Sequence, residues 1–113
     1  MSSTASSNTE VRAAFARIVN MTPREIEDWH KTEQSKSVDR DSVKAGQRTM
    51  QLLRIKRAPN ADDIAHMRRV IDFLDRMLSD GPSESREASR WRFVLMNWGH
   101  DPLKPNDADS LWR

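Results

Sequence analysis

The residues of this sequence best equipped for chemistry are cations at helical spacing. Arg40, Lys44, Arg48 and Arg54 fall on one side of a 3.6-residue period, with Gln47 and Gln51 between them and Lys36, Lys56 and Arg57 at the ends. Lysine and arginine neutralise phosphates, and glutamine and arginine can each make paired hydrogen bonds to a base edge. A polar-faced helix of this kind fits the major groove of DNA. The same pattern also describes an ordinary solvated helix face. Residues 31–60 hold eight Lys or Arg against three acids, whereas the whole chain carries only +2. Positive charge is therefore concentrated here, and nucleic acid is the expected class of partner. There is no helix-turn-helix signature, because the connection before this segment is too long for the short tight turn.

A second polar cluster is Asn97-Trp98-Gly99-His100-Asp101-Pro102. Asparagine, histidine and aspartate together could transfer protons or hold a metal. The simpler reading is structural: Gly99 and Pro102 stop a helix, and the polar side chains satisfy the backbone groups left loose there. No nucleophile accompanies the motif. His30, His66 and His100 stand far apart at no metal-ligand spacing, and His66 is expected as a hydrogen-bonded residue at the edge of a core. The chain has no cysteine and three glycines. Thiolate zinc sites, disulfides, cysteine nucleophiles and glycine-rich phosphate loops are excluded. No enzyme activity, cofactor, metal or small-molecule substrate is expected.

These groups must be carried by helices. Ser7 and Glu10 form a capping box before the stripe Val11, Ala14, Phe15, Ile18 and Val19. Thr22-Pro23-Arg24-Glu25 starts a second helix, with Met21 and Ile26 stapled across the cap, Trp29 facing inward, and an end near Gln34. The third predicted helix runs from about Asp41 to Lys56. Its apolar side holds Val43, Ala45, Gly46, Met50, Leu52 and Leu53. A glycine there costs about 1 kcal/mol relative to alanine, which predicts close approach of a neighbour. Asn60 caps a fourth helix, whose broad arc of Ile64, Met67, Val70, Ile71, Phe73, Leu74, Met77 and Leu78 predicts the centre of the core. Gly81-Pro82 stops it. The last predicted helix spans about Ser85 to Trp98, with Ala88, Trp91, Val94, Leu95 and Trp98 inward and Ser89, Arg90, Arg92 and Asn97 toward water.

The fold class expected is therefore all-α, a compact single-domain bundle of four to five helices. Residues 1–7 are read as a disordered N-terminus, 8–104 as the helical domain and 105–113 as a polar tail, flexible or docked. At 113 residues the chain is long enough for one modest core. Phe93 and Met96 lie on a second side of the last helix. With Trp112 of the tail they make a candidate protein interface, and a homodimer is the alternative to nucleic-acid binding. No segment is apolar enough for a membrane or a signal core, so an intracellular, cytoplasmic location is expected, with nucleoid or nuclear association if the partner is DNA.

Several stretches resemble a family of short microbial proteins classed as a domain of unknown function. They are Met21-Thr22-Pro23, Trp29, Thr32-Glu33, Ser35-Lys36-Ser37-Val38, Gly46, Arg48, Leu52-Leu53 and His66-Met67-Arg68. The most specific is the closing run Arg90-Trp91-Arg92…Leu95-Met96-Asn97-Trp98-Gly99-His100-Asp101-Pro102. The resemblance covers about residues 11–104. Members are often loosely labelled DNA-binding, so it implies an all-helical fold and a nucleic-acid partner, and no catalytic activity. The chain departs from the family pattern at Asp39, which stands where a glycine commonly follows the run Ser35-Lys36-Ser37-Val38, and in a shortened polar stretch before the third helix.

Overall fold

Local signals set the helices of this protein, and a computed structural model describes residues 7–82 and 89–104. Among them are α1 (Asn8–Ile18), α2 (Pro23–His30), α3 (Glu33–Lys36), α4 (Arg40–Arg54), α5 (Ala61–Asp80) and α6 (Arg90–Trp98), with no strand. The fold is an all-α single domain. The predicted disorder of residues 1–6, the start of the last helix near Ser85, Ala88, Trp112 and the tail from 105 lie outside the described residues.

Each helix starts where a side chain takes up a loose backbone N–H. The Ser7–Glu10 and Thr22–Glu25 capping boxes are both closed. Asp39 caps α4 by accepting from the Ser42 N–H at 2.8 Å. One boundary among the described residues differs from expectation. The second predicted helix breaks into α2 and α3, because Thr32 donates to the Trp29 carbonyl at 2.7 Å and accepts from the Ser35 N–H at 3.1 Å, which ends one helix and starts the next. The last helix begins at Arg90, capped by Ser89.

The main core gathers Val11 and Phe15 of α1, Ala45 and Leu52 of α4, Ile64, Met67, Val70 and Leu74 of α5, and Leu95 and Trp98 of α6. A smaller cluster of Met21, Ile26 and Met96 lies under α2, with Trp29, Met50 and Leu53 against it. α5 packs on α1, α4 and α6, while the short α6 touches α2, α3, α4 and α5. The long helix supplies the largest share of the main core, as its broad apolar arc predicts, and α6 is packed among four helices beside it. α6 is largely covered by other helices: of the positions expected in water, its cap Ser89 and Asn97 are 1% and 0% exposed, while Arg90 is exposed. Trp98 stacks on Phe73 with ring centroids 4.1 Å apart, and the Arg69 guanidinium lies 5.6 Å from the Trp98 ring centroid. Trp91 is half-buried and donates its indole N–H to the Met77 carbonyl at 2.8 Å.

The glycine on the apolar side of α4 meets its expected neighbour. A methyl group at Gly46 would overlap the Asn97 carbonyl oxygen and come within 2.7 Å of the His30 ring. The α4–α6 crossing depends on the missing side chain. Gly46→Ala should therefore destabilise the protein by roughly 3 kcal/mol, overpacking outweighing alanine's better helix propensity of about 1 kcal/mol. Thermal unfolding checks the sign: an unchanged or raised Tm would mean the crossing has slack.

Candidate nucleic-acid interface

The basic flank lies on α4 and its two ends. Arg40, Lys44, Gln47, Gln51 and Arg54 are exposed along the helix, Lys36 is exposed at the end of α3, and Lys56 and Arg57 are exposed after α4. Gln47, Gln51 and Arg54 border a shallow groove whose floor includes Met50 and Ile55. Arg54 faces Glu27 of α2 across 3.7 Å, an exposed pair that water and salt weaken.

Arg48 departs from expectation. It is not a freely solvated cation but an ion-pair partner of Asp63, at 2.8 Å, with 38% of its side chain exposed. Arg57 pairs with the other carboxylate oxygen at 2.7 Å. The Asp63 side chain is 1% exposed and also accepts from the Asn60 N–H at 3.0 Å. The Arg57 hydrogen bond, first, and the Asn60 N–H, second, hold its carboxyl below the usual carboxylate range. Asp62 and Asp63 are neighbours in the first turn of α5, where either suits the helix dipole. Asp62 is exposed and Asp63 is inside. Only the packing of α4 against α5 separates them.

The candidate protein interface on the second side of the last helix is also corrected. Met96 is 8% exposed and packs with Met21 and Ile26. Phe93 is half-buried with its ring centroid 5.7 Å from that of Trp29. α2 of the same chain covers this side. Leu103, 41% exposed, is the one large hydrophobic side chain in water among the described residues.

The Asn97–Pro102 motif works as a junction. The Asn97 side-chain oxygen accepts from the Trp29 indole N–H at 2.6 Å and from the Ser35 hydroxyl at 2.5 Å. Its amide nitrogen donates to the Ser42 hydroxyl at 2.8 Å and the Ser35 carbonyl at 3.2 Å. Gly99, at φ 111°, ends α6 in the left-handed conformation, with its N–H on the Met96 carbonyl and the His100 N–H on the Leu95 carbonyl. Asn20 and Asp101 exchange two hydrogen bonds of 2.9 and 2.7 Å, and the His100 Nδ1–H donates to the Ile18 carbonyl at 2.6 Å. The sequence reading put Asn97 in water, and no local signal marks it otherwise.

The other two histidines are held neutral. The His30 Nε2–H donates to the Asn97 carbonyl at 3.0 Å, and burial lowers its pKa against the pull of that bond. His66, 8% exposed and 3.3 Å from the Thr49 hydroxyl, is lowered to about 4 by burial first and by Arg48 and Arg69 second. Among the described residues no three His, Asp or Glu side chains group as metal ligands do, and no helix is long and apolar enough to cross a membrane.

A family model described as "Protein of unknown function (DUF3140)" matches residues 14–96. The match takes in α2 to α5 whole and stops one residue short of Asn97. The closing motif lies only partly inside it. No curated protein and no solved structure matches the chain.

Because the fold keeps His66 neutral, the unfolded chain binds the extra proton between its ordinary value of 6.5 and the folded value of about 4. Stability is thus complete above that window and falls as pH drops through it, by on the order of 3 kcal/mol for His66 alone. His30 acts in the same direction. Urea unfolding followed across this range should show the slope, and His66→Gln should flatten it. A variant with the slope of the parent would assign the acid sensitivity elsewhere.

Proposed function

We propose that this protein, which belongs to the DUF3140 family of proteins of unknown function, is a small helical module that binds nucleic acid through the cationic face of α4. The observation that carries the reading is the exposed run of Arg40, Lys44, Gln47 and Gln51 along one helix, continued by Lys56 and Arg57. Two cations are followed by two amides there, at the spacing of one groove-facing surface. Lysine and arginine would contact phosphates, and Gln47 and Gln51 would lie against the bases or the sugar-phosphate edge. Such docking is electrostatic and releases counterions, so affinity falls with salt.

Self-association through the last helix has less support. Met96 is buried within the chain, Phe93 rests on Trp29, and Leu103 alone among the described large hydrophobics is exposed. An interface between two proteins draws on apolar side chains at its centre, whereas a polyanion needs a wet, charged face.

The test is charge reversal at residues with no ion pair among the described residues. Arg40→Glu combined with Lys44→Glu spares the Asp63 cluster, and an acid at position 40 suits the first turn of α4. Binding to a DNA duplex at low salt should weaken at least about tenfold, with the slope of log affinity against log salt shallower by about two. Anisotropy titrations measure both. If the parent protein shows no binding at low salt, or binding that ignores salt, the proposal is wrong.

A further inference from the structure

A buried acid in the middle of a cationic face calls for its own account. Asp63 costs the face one positive charge, and the capping box it closes with Asn60 uses only part of its bonding. Its carboxylate takes one oxygen to Arg48 of α4 and the other to Arg57 of the α4–α5 connection. The two guanidiniums are thereby fixed side by side while remaining 38% and 54% exposed. Arg48 gives only its Nη2 to the carboxylate and Arg57 only its Nη1, which also reaches the Ala58 carbonyl. The other nitrogens of each are left for a second anion. Lys44 stands one turn before Arg48 and Gln51 about one turn after it, both exposed.

We infer that Arg48 and Arg57 form a phosphate-binding fork for one backbone phosphate of the bound nucleic acid, and that Asp63 is the positioning residue that sets it. This rests on the nucleic-acid reading above. An arginine free in water must give up its rotamer freedom when it binds a phosphate. One already held by a buried carboxylate gives up little. The arginine fork suits a phosphate oxygen pair, and lysine lacks that planar geometry. The acid therefore strengthens binding to a polyanion, against the sign of its charge.

The experiment compares two variants of equal charge. Asp62→Asn and Asp63→Asn each remove one negative charge from neighbouring positions. Affinity for a short random-sequence DNA duplex at low salt should rise or hold in Asp62→Asn and fall about fivefold below it in Asp63→Asn. Asp63→Asn binding as tightly as Asp62→Asn would overturn the fork. If Asp63→Asn does not keep its helical circular dichroism, Arg57→Lys carries the test, since it keeps the charge and loses the planar group. It should weaken binding by a similar factor, and unchanged affinity would refute the inference. If the parent protein does not bind the duplex, the nucleic-acid reading fails by itself. Inorganic phosphate titrated against the Arg48 and Arg57 Nε–H resonances then decides the fork: saturable shifts in these two sustain it, and their absence ends it.

Discussion

The crossing of α4 and α6 at Gly46 and Asn97 is the constraint from which the remaining arrangement follows. A backbone carbonyl of one helix lies where a side chain of the other would be. That approach brings the Asn97 amide within reach of Trp29, Ser35 and Ser42, so four helices meet on one side chain. Every one of these groups is polar and largely removed from water, and each would be costly left without a partner. Asn97 satisfies them together. The network has a definite geometry that apolar contact alone would not impose, and it fixes α2 and α3 against the bundle despite their shortness.

The basic face inherits its shape from that crossing. With α6 behind it, α4 turns one flank to Thr49, Leu52 and the core and the other to water. The cations on the wet flank are of two kinds. Arg40 and Lys44 are exposed and without a described ion pair, while Arg48 and Arg57 are held by a carboxylate under the surface. The first kind supplies long-range attraction, and the second supplies a fixed geometry. Arg48 also bears on His66 beneath it, where its charge adds to burial in keeping the imidazole neutral. Surface charge and interior protonation are thus linked, through Arg48 and also through Arg69.

Much of the fold was legible in the sequence because it is written in local chemistry. The capping residues Ser7, Thr22 and Asn60 and the stops at Gly81 and Gly99 depend on neighbours within a few positions. Gly46 was legible as well, since glycine on the apolar side of a helix implies a close neighbour. What escaped is tertiary. Nothing near Asn97 or Asp63 says that these polar residues are inside, because their partners lie 55 to 68 and 15 residues away or, for Arg57, across a loop. Met96 was misassigned for a related reason: two apolar sides on one helix look the same whether a second molecule or α2 covers one of them. The break at Thr32 turned on a single hydroxyl bonding in both directions.

The junction at Asn97 also bears on how the protein is made. Trp29, Ser35, Ser42 and the Gly46 notch all leave the ribosome well before residue 97. Until then the notch is an open slot and three polar partners have nothing to bind. Helices as short as α2 and α3 are marginal without tertiary packing, so their consolidation waits on the last helical turn. The packing of this domain therefore cannot be completed before residue 97 is available.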